Sequence, residues 1–509
     1  MKKIKRFLPL LLLTLIVLFF LATRLYKINE IPGTLYWDEA SIGYNAYSIT
    51  TDLKDEWGEF LPIHFRAFGE FKLPVYIYSV AFIEKIAGMS ILAVRLPAVI
   101  FSAGSIVLLY LITLAFYKKH LVSLISSFLF TIFPWYFIFS RTGYEVTAGL
   151  MFFLLGLYLL LEVLKYPKFL VLSSLSFILS MYSYNSFRIL VPITIAVIGV
   201  YCYLNIREKR RFILPAALSF VLVGLSLTPI INLNRLDYGN SRFNAVRIEK
   251  DSDFFGNYVK HFDPNFLFLS GDKNPRSQIP GMGQLYIWTA PFLLFGIYSL
   301  LRKPTFKNNL PILFVLIAPI PAAITKESPH ALRSIAALPF LSMISAFGLV
   351  SLAELFKNKA YLLLFLIPFL LSFGFYYFTF INYYPVYSDS WQYGYNQFFQ
   401  KYKEKFSEYD NVVITDSDAQ PYIFALSNLT YDPKNFRQEV SFNSPDKWGI
   451  STVNRFNKFR FEKVSYENIP SGRSLVLVKN NEALKNLAAK EFIQNMGMGG
   501  GYFVYDVTK

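Results

Sequence analysis

Phe7-Leu-Pro-Leu-Leu-Leu-Leu-Thr-Leu-Ile-Val-Leu-Phe-Phe-Leu-Ala-Thr-Arg-Leu25 is an apolar run whose single charge, Arg24, stands at its end. A helix needs about 20 largely apolar residues to cross a bilayer, and a helix suits that task because it satisfies its own backbone polar groups. Leu21-Ala22-Thr23-Arg24 is a poor signal-peptide cleavage site, so the run reads as an uncleaved anchor. Ten further apolar blocks follow, at roughly 94–116, 121–139, 146–164, 169–184, 189–205, 212–231, 285–301, 310–324, 334–355 and 361–381. The whole chain agrees: of 509 residues 54% are hydrophobic and 17% charged, with a mean hydropathy of +0.38. That composition excludes a disordered, collagen-like or coiled-coil chain and argues against a cytosolic enzyme. The reading is an α-helical polytopic membrane protein with about 11 transmembrane helices. The single Cys202 rules out an internal disulfide and a Cys-based zinc site.

Basic residues near segment ends set the orientation. Lys2, Lys3, Lys5 and Arg6 precede the first segment, and every second short connection is then basic. These connections hold Lys118 and Lys119; Lys165 and Lys168; Arg207, Lys209, Arg210 and Arg211; Arg302, Lys303 and Lys307; and Lys357 and Lys359, with Glu208 as the one acid among them. The N-terminus is therefore expected in the cytoplasm, the C-terminus outside, and the protein in the cell membrane. The net charge of +16 is read as these loops rather than as a nucleic-acid surface.

The remaining connections, about 26–93, 140–145, 185–188, 232–284 and 325–333, face outward with the tail. Chemistry there takes place away from ATP and nucleotide sugars. Residues 1–384 read as the membrane domain, with outer loops 26–93 and 232–284, and 385–509 as a small soluble α/β domain. In the tail, Asn411–Thr415, Ser474–Val478 and Tyr502–Tyr505 read as strands, with helices expected at 418–427 and 481–490. Asn428-Leu-Thr430 fits a glycosylation sequon, a pattern common by chance.

The first outer loop opens with Tyr36-Trp37-Asp38-Glu39, followed by helical spacing at Ile42, Ala46 and Ile49. Two acids at a helix start cap its first turn and suit the positive end of its dipole; they also suit a carboxylate base near the membrane surface. Lys72 stands before Pro74 and an apolar stretch, where it meets a lipid phosphate or merely snorkels. Arg95-Leu-Pro97 opens the second membrane segment, where an arginine serves as an interfacial anchor. Short outer loops contribute Ser140-Arg141 and Tyr184 to Arg188, and loop four contributes His261, Asp272 and Arg276. Charges at the edge of a bundle are costly unless paired and often mark substrate paths. His330 and Arg333 share a helix face and suit either a phosphate or a cap. Gly-x-Ser-x-Gly, His-Glu-x-x-His and Walker motifs are absent from the sequence.

In order along the chain, Trp37-Asp38-Glu39, Lys72-Leu-Pro74, Arg95-Leu-Pro97, Pro134-Trp135 with Ser140-Arg141, and Pro329-His330-Ala-Leu-Arg333 resemble glycosyltransferase family 39. That family, related to protein O-mannosyltransferases and lipid A aminoarabinose transferases, belongs to the GT-C superfamily. The resemblance covers about 30–380 and implies a GT-C fold. It also implies an inverting transfer of a sugar from a polyprenyl-phosphate donor to an acceptor hydroxyl or other nucleophile on a protein, lipid or glycan. By the resemblance Asp38 is the general base, Glu39 orients it or the first-loop helix, and Lys72 binds the donor phosphate; Arg141, His330 and Arg333 are further candidates for that phosphate. Tyr184, Arg188, Asp272 and Arg276, polar groups in the outer loops, are candidate substrate contacts read from the residues themselves. The family's Lys-Pro-Pro form is Lys72-Leu73-Pro74 here. The sequence itself requires no cofactor. Some relatives bind a divalent metal through an acid beside that lysine and a histidine, positions that fall on Glu70, shifted by one, and His261.

A competing reading is a transporter or flippase of lipid-linked glycans. The apolar segments lack mid-span charges and a two-fold repeat, which argues against it. The tail's outer location suggests acceptor recognition.

Overall fold

The structure is a computed structural model describing residues 2–509 apart from 69, 207, 236–238, 240, 251, 357–359, 418–419, 445–451, 486 and 498–499. Arg207, Lys357 and Lys359 of the orientation pattern lie outside the described residues, as does the start of the expected helix 418–427. The side chains of residues 2–6 and of Glu70 do so as well.

All eleven apolar segments are helical, in three ways. Seven helices among the described residues are long and apolar enough to cross a membrane: Phe7–Leu25, Ile91–Tyr117, Phe187–Asn205, Arg210–Asn234, Phe306–Ala323, Ile335–Leu355 and Tyr361–Asn382. The third segment is broken, because His120–Ile132 and Pro134–Arg141 meet at 67°. Pro134 explains the break: proline lacks an N–H for the helix ladder and its ring clashes with the preceding turn. Val146–Leu161, Phe169–Met181 and Thr289–Leu301 are shorter apolar helices. The protein is a multi-pass membrane protein.

The chain divides into two compact units. The first comprises residues 1–26, 98–232 and 246–378. Helices in lipid gain little from the hydrophobic effect and associate through close packing and interhelical hydrogen bonds. Both devices appear here. Gly296 and Gly348 let two helix backbones touch: a Cβ at Gly348 would lie 2.0 Å from the Phe292 carbonyl oxygen, and one at Gly296 would lie 2.2 Å from that of Ile344. Ser173 and Ser180 donate to the carbonyls of Gly156 and Gly149 on the neighbouring helix, each at 2.8 Å.

The second unit comprises 27–97, 233–245 and 379–509. Composition marks a break near 384, but the folded unit takes in residues 27–97 together with the tail. Its elements are α1 (Trp37–Asp52), β1 (Phe65–Ala67), β2 (Glu70–Lys72), α2 (Pro74–Ala87), α3 (Tyr393–Tyr402), β3 (Asn411–Ile414), α4 (Tyr422–Leu429), α5 (Pro433–Glu439), β4 (Ser441–Phe442), β5 (Val453–Phe456), β6 (Phe459–Phe461), β7 (Arg473–Lys479), β8 (Glu491–Gln494) and β9 (Gly501–Thr508). β1 and β2 form a hairpin, and the other strands form one sheet in the order β4-β5-β6-β3-β7-β9-β8. Central β3 runs parallel to β6 and β7, and the outer pairs are antiparallel. β7 is buried along nearly its whole length, as expected of a strand covered on both faces.

The three strands read from the sequence are β3, β7 and β9. The helix expected at 481–490 is corrected. After a single turn at Asn480–Glu482 the described chain is irregular, and it joins the sheet at β8. Leu484 is drawn into the core, with its N–H donating to the Tyr505 hydroxyl at 3.2 Å. The Lys490 N–H donates to the Val504 carbonyl at 2.8 Å. Tertiary pairing thus overrides a helical spacing that already contains two asparagines.

Candidate active site

Tyr36 is extended, with φ −81° and ψ 171°, and α1 begins at the next residue. Glu39, the third residue of α1, reaches back to accept the Tyr36 N–H at 3.4 Å, half of the reciprocal arrangement that starts many helices. Both acids do lie in the first turn of α1, but the expected cap is corrected: Tyr36, not Asp38, holds the cap position, and the two acidic side chains then part company.

Glu39 and Arg95 are both wholly enclosed. The Arg95 Nε and Nη2 donate to the two carboxylate oxygens at 2.9 and 3.1 Å. Nη1 donates to the carbonyls of Ile28 and Pro32 at 2.7 and 3.0 Å, and Nη2 also to that of Thr34 at 2.6 Å. These five bonds match the five N–H donors of a guanidinium. The geometry meets the demand that a buried ion pair be fully hydrogen-bonded. Arg95, which reads from sequence as an interfacial anchor, instead laces together the chain from Ile28 to Glu39.

Asp38 keeps 26% of its side chain exposed, and its Oδ1 accepts from the Lys72 Nζ at 2.5 Å. Lys72 is placed by the hairpin, whose register opposes it to Phe65, and by Pro74, which opens α2 two residues later. A proline at a first helical position gives up an N–H that has no partner there in any case. Phe68, in the hairpin turn, sits at φ +54°, a left-handed backbone that bulky residues seldom adopt. Its ring stacks on Trp37 with centroids 5.4 Å apart, and the Lys72 ammonium lies 5.9 Å from its centroid. An ion pair with an aromatic wall and an accessible carboxylate thus stands at the start of α1.

The other unit holds the remaining predicted residues, several of them brought together. The Asp272 carboxylate accepts the N–H groups of Asn274 at 2.9 Å and Ala331 at 2.8 Å. The His261 Nε2 accepts the His330 N–H at 3.2 Å, and its Nδ1 meets the Asn257 carbonyl oxygen at 3.0 Å. His261, Asp272, His330 and Arg333 are therefore one constellation. Arg333 donates to the Thr325 hydroxyl at 2.8 Å, and Glu327 lies 3.7 Å from both His330 and Arg333. Burial lowers His261 to about 4, so it is neutral, donating through Nδ1 and accepting through Nε2. Burial also raises Asp272 above the ordinary carboxylate range. The Trp135 indole N–H donates to the Ala331 carbonyl at 3.0 Å, so the Pro134 bend feeds the same constellation.

Arg141 is buried and donates to the carbonyls of Thr23 at 3.3 Å and Tyr26 at 3.0 Å. Arg188 is half-buried, with Nε 3.4 Å from the Met181 carbonyl oxygen; Tyr184 is half-buried too. Arg276 follows Asn274, whose side chain accepts its N–H at 3.0 Å. Sequence reading gave no role to Arg24, which is fully buried and donates to the Ser140 hydroxyl at 3.0 Å and the Thr131 carbonyl at 2.6 Å. A lone arginine at the end of an apolar run was its signal.

A divalent cation prefers several carboxylate or imidazole donors converging on one point. Among the described residues no three His, Cys, Asp or Glu side chains do so, and both ring nitrogens of His261 are engaged. The described donors therefore form no metal site, and the side chain of Glu70 lies outside them.

No protein-family model matches the sequence, and no curated relative matches it. Solved structures do match. ArnT from Cupriavidus metallidurans in the apo state aligns over 97% of both chains with a TM-score of 0.57 at 10% identity. The same protein bound to undecaprenyl phosphate gives a TM-score of 0.52 at 10% identity, again over 97% of both chains. The Archaeoglobus fulgidus oligosaccharyltransferase tethered with an acceptor peptide gives 0.52 at 11% identity over 84% of this chain. This chain spans 64% of that larger protein. At such identities the likeness speaks for architecture, and the architecture is the GT-C fold.

Proposed function

We propose that the protein is a GT-C glycosyltransferase of the family 39 type. It moves a sugar from a polyprenyl-phosphate donor to an acceptor hydroxyl or other nucleophile, with inversion, on the outer face of the cell membrane. The observation that carries this reading is the Asp38–Lys72 pair: an accessible carboxylate in contact with an ammonium at 2.5 Å. The basic residues on every second connection support the orientation. The match to a protein that binds undecaprenyl phosphate supports the donor class.

In the proposed reaction the acceptor oxygen attacks the anomeric carbon from the face opposite the phosphate. Asp38 takes the acceptor proton as the new C–O bond forms. The bond from the anomeric carbon to the phosphate oxygen breaks, its electron pair stays on that oxygen, and polyprenyl phosphate leaves as a monoester. Charge develops on the leaving phosphate, so a cation placed there stabilises the transition state more than the ground state. Lys72, Arg141, His330 and Arg333 are assigned to that charge, and Tyr184, Arg188 and Arg276 to substrate contacts. Asp272 holds the backbone between His330 and Arg333. Glu39 orients Asp38 through α1.

The test uses the purified full chain in lipid nanodiscs with a panel of polyprenyl-phosphate sugars and follows release of polyprenyl phosphate. Expected is release from one donor, reduced by about 10²–10⁴-fold in Asp38→Asn. Release unchanged in Asp38→Asn removes Asp38 as the base. A panel that is neither bound nor turned over overturns the reading.

A further inference from the structure

The accessible carboxylate is held from two sides, and one side is the C-terminal segment, more than 350 residues away. The Trp37 N–H donates to the Gln392 Oε1 at 2.9 Å. It is one of the first N–H groups of α1, which have no partner inside the helix, and Tyr36 supplies no side-chain cap. Two residues earlier the Leu35 carbonyl accepts from the Asn396 Nδ2 at 3.2 Å, while the Asn396 Oδ1 accepts from Asn428 at 2.9 Å. Between them the Tyr36 ring meets Trp391 edge-on at 5.3 Å. Trp391 is buried and donates through its indole N–H to the Tyr384 hydroxyl at 2.9 Å. Residues 35, 36 and 37 each have a partner within 391–396, and Asp38 is next.

The backbone at Gln392 strengthens the case. Its φ is +56° and ψ +39°, a left-handed conformation that glycine adopts without strain and other residues do not. A glutamine here is strained, and the atom its side chain contributes is the acceptor for Trp37.

We propose that Gln392 and Asn396 are positioning residues for Asp38, so that the C-terminal segment is part of the active-site scaffold. Arg95 fixes Glu39 and the chain before it; Gln392 and Asn396 fix the turn from which α1 starts. Together they set the angle at which the Asp38 carboxylate faces Lys72. The tail then serves catalysis directly, whatever it does for the acceptor. This inference rests on the glycosyltransferase reading.

Gln392→Gly is the decisive variant. Glycine relieves the backbone strain while removing the acceptor, so folding is retained and the clamp is lost. Turnover of the donor is expected to fall about tenfold or more through kcat, with KM for the donor and the melting temperature little changed. Gln392→Glu, which keeps an acceptor oxygen, is expected to restore much of the lost kcat. A second readout needs no turnover: the ¹⁹F signal of Trp37 in 5-fluorotryptophan-labelled protein, assigned with Trp37→Phe, is expected to shift or broaden in Gln392→Gly and to return in Gln392→Glu. An unchanged Trp37 signal overturns the clamp. So does unchanged kcat in Gln392→Gly when the wild type is active. A wild type that neither binds nor turns over any donor defeats the glycosyltransferase reading instead, and the ¹⁹F signal still decides the clamp.

Discussion

Asp38 keeps a quarter of its side chain open to solvent and meets an ammonium, whereas Glu39, the next residue, is sealed away with both oxygens on a guanidinium. One helix turn carries both, so the chain's chemistry alone does not separate them; their partners do. Lysine is a point charge on a flexible stem, suited to a contact that must exchange one anion for another during a reaction. Arginine is a planar fork whose fixed donors suit a permanent structure. Two adjacent carboxylates thus differ in kind: one holds the loop, and the other stays accessible.

The comparison can be broken at several points. Arg95→Met should have the largest effect, because it strands the Glu39 carboxylate in the interior and releases three carbonyls. Breaking a buried pair in this way typically destabilises by about 3–5 kcal/mol, to be read as a lowered melting temperature in detergent. Adding Glu39→Leu to Arg95→Met should recover part of that loss, since an apolar pair leaves no buried charge behind. Lys72→Gln should leave the melting temperature near that of the wild type and reduce donor turnover by about 10²–10³-fold, the usual effect of removing one transition-state donor. If Lys72→Gln unfolds the protein instead, the division of roles between the two pairs fails.

A smaller effect sharpens the picture of the same unit. Glu56 is buried, with its Oε1 accepting from the Trp57 indole at 3.2 Å and the Tyr422 hydroxyl at 3.3 Å. Burial, then the neighbouring Asp55, raises it to about 8. Between 4.5 and 8 the folded state therefore holds a proton that the unfolded state has released. Stability falls as pH rises through that window, by roughly 1 kcal/mol per pH unit, and levels off above it. The protection of α1 and α4 amides, corrected for intrinsic exchange, should fall between pH 6 and 8, and Glu56→Gln should flatten that fall.

The membrane helices were legible because a span needs a length of apolar sequence that few other structures require, and each of the eleven blocks is helical. The start of α1 was legible for a local reason, two acids ahead of a helical spacing. What escaped the sequence depends on distant partners. Nothing around Glu39 names Arg95, and nothing around Trp37 names Gln392. Pro134 was visible inside the block 121–139, yet the bend it makes needs the packing of the Trp135 indole on Ala331 to fix its place. The grouping of the first loop with the tail had no compositional mark, because it is made by contacts such as the Tyr44 hydroxyl on the Tyr431 carbonyl at 3.1 Å. The clustering of His261, Asp272, His330 and Arg333 likewise rests on side chains that accept backbone N–H groups across loops.

The most direct test places Asp38→Asn beside Glu39→Gln and measures two quantities on each: polyprenyl-phosphate release from the preferred donor and the melting temperature in the same nanodiscs. The account predicts that Asp38→Asn loses release at an unchanged melting temperature, and that Glu39→Gln lowers the melting temperature, with a smaller loss of release. Full release in Asp38→Asn, or a stable Glu39→Gln protein without release, would contradict it.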